Sequence, residues 1–134
     1  MTIQSVRGRA AVVLGLLLLT GCQSHPRSGS RFDQVATADL TAISSGHCAS
    51  VVGHFDAVMT SRLTADALCR DYDVYVARFG ALKSEDAAYS TGRGAVTVVR
   101  IPLHLSSSDG EFRETFHSDG TVAGLYLLKA GVPL

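Results

Sequence analysis

The chain has 134 residues, with twelve basic and twelve acidic side chains and therefore no formal net charge at pH 7. That balance excludes the basic footprint that nucleic-acid binding requires and leaves no polybasic patch for anionic lipid. Hydrophobic residues make up 46%, enough for one small core, and the length argues for a single domain. No internal repeat interrupts the chain.

Arg7 and Arg9 precede the apolar run Ala10-Ala11-Val12-Val13-Leu14-Gly15-Leu16-Leu17-Leu18-Leu19. Such a run is too short to span a bilayer, which takes about 20 residues, and it fits the core of an export signal. Immediately after it stands Leu19-Thr20-Gly21-Cys22, which resembles the lipobox of bacterial lipoproteins. That resemblance implies a diacylglyceryl group on the Cys22 thiol, further acylation of the palmitate type, and cleavage just before Cys22. Residues 1–21 are then a signal peptide, 22–31 a lipidated cysteine with a polar tether, and 32–134 one domain. The expected location is the cell envelope, lipid-anchored on the extracytoplasmic face of a membrane. Loss of Arg7 and Arg9 leaves ten basic against twelve acidic residues in the mature chain.

Helical spacing governs the next fifty residues. Phe32, Val35, Ala36, Asp39, Leu40 and Ile43 share one face, and Gly46 ends the run. Cys48, Val51, Val52, Phe55, Val58 and Met59 repeat the rhythm as a second helix. Thr64 reads as the N-cap of a third helix, with Leu68, Cys69, Tyr72, Tyr75, Val76 and Phe79 inward and Gly80 at its end. Cys48 and Cys69 are the two cysteines besides Cys22. A bridge between them suits an oxidising compartment; the other reading makes both small buried hydrophobes.

The second half changes to a period of two. Residues 87–90 read as a weak strand and 91–94 as a turn. Val96 and Val98 alternate in one phase, and Val99, Ile101, Leu103 and Leu105 in the other, a slip of the kind a β-bulge makes. Pro102 cannot donate to a ladder, so it belongs at an edge or beside the bulge. Strands 111–117 and 122–128 flank Asp119-Gly120, a hairpin signal. A two-residue turn there pairs Phe116 with Ala123, Glu114 with Leu125 and Phe112 with Leu127. It also pairs Arg113 with Tyr126, where a cation–π contact is expected.

Three helices followed by about four antiparallel strands make an α+β layer fold, the helices packed on a curved sheet. The stretch Val51-Val52-Gly53-His54-Phe55-Asp56-Ala57-Val58-Met59, with Leu63, Leu68 and Phe79-Gly80 after it, resembles an uncharacterised family of the nuclear transport factor 2-like superfamily. The ending Asp119-Gly120-Thr121-Val122-Ala123-Gly124-Leu125-Tyr126-Leu127 is similar to that family's closing D-G-x-V-x-G-L hairpin. Members commonly carry a tryptophan in the third helix; this chain has none, and Tyr72 or Tyr75 stands there. The resemblance implies a cone whose interior, lined by Phe55, Tyr72, Tyr75, Phe112, Phe116 and Leu125, takes a small apolar ligand. It equally implies a module that binds a protein partner, with homodimers forming through the sheet face.

Enzymes of the superfamily imply a carboxylate base, here Asp39 or Asp56, with Tyr72, Tyr75 or Tyr89 as oxyanion donors. The plainer reading gives solvated helix-face carboxylates and core tyrosines. His25, His47, His54, His104 and His117 form no H-E-x-x-H pattern, and no C-x-x-C pair occurs, so neither a metal nor a cofactor is expected. Binding without catalysis is the favoured expectation. A small-pocket isomerase or hydratase and a structural envelope component are the competing ones.

Overall fold

The computed structural model describes residues 29–134, so the export signal and Cys22 lie outside the described residues. The described residues form four helices and then five strands. Helix α1, Arg31–Ser44, opens with a capping box. The Ser30 side chain accepts from the Asp33 N–H at 3.1 Å, and Asp33 Oδ2 accepts from the Ser30 N–H at 2.7 Å. The last two residues of the expected tether are thus a helix cap and a first turn.

The expected second helix is two helices, α2 (Cys48–Val52) and α3 (Ala57–Arg62). Between them Gly53, His54 and Phe55 leave the helical path, and Phe55 forms an isolated parallel bridge with Val122. Asp56 then caps α3 by accepting from the Met59 N–H at 2.8 Å. The apolar spacing runs into the break because Phe55 is buried from within it, whereas Val58 beyond it, expected on the same inward face, is 57% exposed. Helix α4, Ala65–Phe79, starts at its Thr64 cap and stops before Gly80, as its sequence predicts.

The strands are β1 (Leu82–Glu85), β2 (Tyr89–Arg93), β3 (Val96–Leu105), β4 (Asp109–His117) and β5 (Val122–Lys129). They form one open antiparallel sheet in the order β1-β3-β4-β5, with β2 also paired to β3. β2 lies along Val96–Arg100 and β1 along Leu103–Leu105, so the two share one side of β3. Neither has a buried face, which is why hydrophobic alternation marks them poorly. The turn before β3 is Gly94-Ala95, because Arg93 pairs directly with Val96.

β3 contains no bulge against β4: the register runs unbroken from Val96↔His117 to His104↔Asp109. The two apolar phases are two buried faces. Val99, Ile101 and Leu103 point toward the helices, and Val98 is only 7% exposed on the opposite face. Pro102 sits in this central strand at the gap between β1 and β2. Its carbonyl accepts from the Asp86 N–H at 3.0 Å, so the side lacking a donor faces the gap, where no ladder bond is required.

In the closing hairpin the register through Arg113↔Tyr126, Glu114↔Leu125 and Thr115↔Gly124 is as the sequence predicts. It then slips, pairing Phe116 with Val122. The cause is a longer turn. His117 N–H donates to the Thr121 carbonyl at 2.9 Å, leaving Ser118, Asp119 and Gly120 as the loop. Gly120 has φ +93°, the left-handed conformation that a three-residue loop requires and that glycine adopts without strain.

The helices cover one face of the sheet, and Phe112, Phe116, Val99, Ile101 and Val122 on that face are all 0% exposed. The Phe32 and Phe116 rings stack at 5.0 Å between centroids. Cys48 and Cys69 are joined by a disulfide whose Cα atoms are 5.9 Å apart, tying α2 to α4.

One close approach fixes α4 on the sheet. The Tyr75 hydroxyl donates to the Leu128 carbonyl at 2.7 Å and occupies the space where Gly110 lacks a Cβ. Gly110→Ala pushes that hydroxyl away and strands the bond. The expected loss is about 1–3 kcal/mol, read as a shifted urea midpoint with an unchanged slope. Tyr75→Phe in the same background should remove most of the added cost.

Candidate functional site

Three features carry unusual chemistry or surface: a buried carboxyl pair, an ion cluster on the far face of the sheet, and a groove beside β5. The residues expected to line a ligand cone lie in the core instead. Phe55, Tyr72, Phe112 and Phe116 belong to one packed cluster and border none of the described surface cavities. Only Tyr75 and Leu125 of that set reach a cavity.

Asp39 and Glu114 face each other inside the domain. Asp39 is 3% exposed and Glu114 is 0% exposed, so Asp39 is not the solvated helix-face residue of the plainer reading. Both carboxyl oxygens of Glu114 lack a partner. Burial and the neighbouring Asp39 charge push its pKa well above the ordinary 4.5. Protonated, Glu114 becomes a donor toward Asp39, which removes the contradiction of an unpaired buried acid. Burial also raises Asp39, opposed by His54, whose Nδ1 stands 3.4 Å from Asp39 Oδ2. His54 is 47% exposed, so the pair connects to solvent through one imidazole. Glu114 was legible in the alternation Phe112, Glu114, Phe116, which places it on the apolar face.

The other acid–tyrosine candidates are apart. Asp56 caps α3, and its Oδ2 stands 3.0 Å from His117 Nε2. The Met59 N–H and then His117 hold its carboxyl below the ordinary value. Tyr75 donates to a main-chain carbonyl, and Tyr89 lies on the exposed edge with the Arg100 guanidinium 5.7 Å from its ring centre. His104 bridges Asp86 and Asp109 at 3.1 Å each, and its hydrogen bonds to those two carboxylates raise its pKa. Among the described residues no group of three or more potential ligands is placed to hold a metal ion.

On the far face of the sheet Glu111 accepts from Arg100 at 2.7 and 3.0 Å and from Arg113 at 2.7 Å. Burial alone would raise Glu111, but the two guanidinium groups outweigh it and hold it below its ordinary value. Arg113 also donates to the Pro133 carbonyl at 3.0 Å and the Val132 carbonyl at 2.6 Å. Residues 130–134 therefore lie back over this face, and Leu134 joins Val98, Thr115 and Tyr126 around a small recess. The clasp replaces the expected Arg113–Tyr126 cation–π contact and explains why Val98 is buried.

The groove lies between α4 and β5. Leu63, Leu68, Val74, Phe79, Leu125 and Leu127 give it an apolar floor, Asp71 and Arg78 stand on its rim, and its volume is about 360 Å3. Val74 is 66% exposed and Tyr126 53%, which is uncommon for large apolar side chains that share one depression.

Comparison with family models, with curated proteins and with solved structures returns no match. No helix among the described residues is long and apolar enough to cross a membrane.

Proposed function

We propose that this chain is an extracytoplasmic lipoprotein, anchored to a membrane through Cys22. Its domain, of the nuclear transport factor 2-like type, binds a protein partner rather than catalysing a reaction. The observation that carries the binding reading is the contrast between a filled interior and an open apolar groove beside β5. A carrier of the cone type needs an enclosed apolar space of some 300 Å3 or more, and here Phe112 and Phe116 occupy the interior. An isomerase or hydratase needs its raised carboxyl to meet substrate; Glu114 borders none of the described cavities. The disulfide supports export, because such bridges persist in oxidising compartments. The anchor is supported by the order of charge, apolar run, small residues and cysteine in the first 22 positions.

Two measurements test this. Cells fed labelled palmitate should incorporate it into the chain and carry the chain in the membrane pellet, with both lost in Cys22→Ser. Label that survives that substitution sinks the anchor. Native mass spectrometry of Cys22→Ser from the periplasm should find no small molecule bound. A stoichiometric apolar adduct would instead make the groove a carrier site.

A further inference from the structure

We propose that the open edge of β5 takes up an extended segment of a partner protein as a further antiparallel strand, an acidic side chain leading and apolar ones following. This rests on the partner-binding reading above and names the chemistry of what is bound.

Main-chain direction decides which groups of β5 are open. The Ala130 N–H donates to the Asp109 carbonyl at 3.3 Å, so residue 130 faces β4. Direction alternates with a period of two, and Leu128, Tyr126 and Gly124 therefore spend their groups in the same ladder. Leu125, Leu127 and Lys129 face the other way. β5 is the last strand of its sheet, and among the described residues the N–H and C=O groups of these three have no partner. Ala123 is the extra residue where the pairing passes from Thr115↔Gly124 to Phe116↔Val122, and it reverses the phase. Val122 accordingly faces away from β4. Its N–H donates to the His54 carbonyl at 2.8 Å, and its carbonyl accepts from the Asp56 N–H at 2.9 Å. That contact closes the edge at one end and leaves 125–129 open.

The groove lies along this stretch. Leu125 and Leu127, cross-strand from the buried Glu114 and Phe112, border it from the helix-covered face, and Tyr126 borders it from the far face. A depression reached from both faces of one strand is centred on that strand's edge. An extended segment placed there supplies the bonds that the edge lacks, two for each residue opposite Leu125, Leu127 and Lys129. A helix has its main-chain groups bonded within itself and would bury the edge unsatisfied. The first, third and fifth side chains of the segment fall on the helix-covered face, against the apolar floor of the groove.

Charge selects the leading residue. The Arg78 guanidinium stands 5.3 Å from the centre of the Phe79 ring, and Lys129 Nζ stands 5.7 Å from the same ring. Neither cation forms an ion pair among the described residues. Two unanswered cations on one ring make a place for a carboxylate. Tyr75 bonds at Leu128 and Phe79 lies by Lys129, so α4 runs beside β5 in the same sense and Asp71 falls toward Leu125. Asp71 repels a second acid at that end. Antiparallel pairing is the stabler kind, and in it the residue opposite Lys129 is the first of the segment. The acid therefore leads.

The test is an amide NMR titration of the full chain in detergent micelles. The probes are blocked peptides Glu-Thr-Xaa-Thr-Xaa, with Xaa valine, leucine or phenylalanine. The best of them should bind with a Kd of about 1 mM or below and shift the Leu125, Leu127 and Lys129 amides most. Methylating the main-chain nitrogen of its third residue, which faces β5, should weaken binding about tenfold or more. The same change at the fourth residue, which faces away, should alter it less than about twofold. Arg78→Glu should prefer the peptide led by lysine over the one led by glutamate, a reversal that only a folded variant can show. Equal loss from methylation at either nitrogen, tighter binding with the acid last, or no binding by any of the set overturns the added strand and leaves the groove to another kind of partner surface. A stoichiometric small molecule in the groove overturns the partner reading itself.

Discussion

Reducing the Cys48–Cys69 bridge is expected to remove about 3 kcal/mol of stability, the loop-closure entropy for a link of this span. The bridge joins residues 21 apart in sequence. It is the one covalent tie between the short helix α2 and the long helix α4. α2 has five residues and no side-chain cap, so its own helical stability is negligible, and its place depends on Cys48 and Val51 being buried. For a domain of about a hundred residues the loss should lower the thermal midpoint by roughly 10–20 °C. Scanning calorimetry with and without reductant reads it directly. Cys48→Ala with Cys69→Ala should melt with the reduced protein. If the double variant melts with the oxidised one, the bridge contributes nothing and the helices are held by packing alone.

Replacing Glu114 with glutamine should change how stability depends on pH more than it changes stability at acid pH. The folded-state pKa of Glu114 lies well above its ordinary 4.5. The proton is therefore bound more tightly in the folded chain. The stability it contributes is complete below pH ~4.5 and is lost as pH rises through the folded value. The slope for one proton is about 1.4 kcal/mol per pH unit. Asp39, raised in the same direction, belongs to the same two-proton system. His104, also raised, adds a loss of the same sign at higher pH, but on the far face of the sheet. Glutamine at 114 keeps the shape, the neutral state and a donor toward Asp39. The wild-type and Glu114→Gln denaturation curves should coincide near pH 4, with the variant increasingly the more stable toward neutrality. Parallel curves across that range would mean that Glu114 is solvated, not buried against Asp39.

The parts of this fold that could be read from sequence are those in which one face is buried and the other wet. α1 and α4 and the register of the closing hairpin from Phe112 to Thr115 follow from periodicity, because apolar side chains recur there at the spacing of one face, even where buried polar residues such as Asp39, Arg113 and Glu114 interrupt the match between burial and polarity. Glu114, like Asp39, occupies an apolar position by spacing and is polar by chemistry; only the spacing is informative about where it lies. What failed has a physical cause in each case. The spacing of Val51, Val52 and Phe55 conceals a break in the helix, since Phe55 reaches the core from a bridge as well as it would from a coil, while Val58 beyond it is exposed. β1 and β2 bury no face, so they leave no alternation to find. Val98 looks like evidence of a bulge until residues 130–134 are seen to cover the far side of β3. The groove was the least readable feature. Asp71, Val74 and Arg78 are an unremarked exposed stripe until the unpaired side of β5 is set beside them.

The hold of Arg113 on the end of the chain works through peptide carbonyls, those of Val132 and Pro133, and not through any side chain of the segment. A restraint of that kind is blind to which residues supply the oxygens. Apart from Leu134, which lines the recess over Val98, the segment is then free to drift in sequence, provided its length and path are kept, while position 113 has almost no latitude. A guanidinium left without those two oxygens would remain inside a buried ion cluster with its charge only partly answered. The burden of evolutionary constraint therefore falls on a strand residue some twenty positions upstream of the segment it secures.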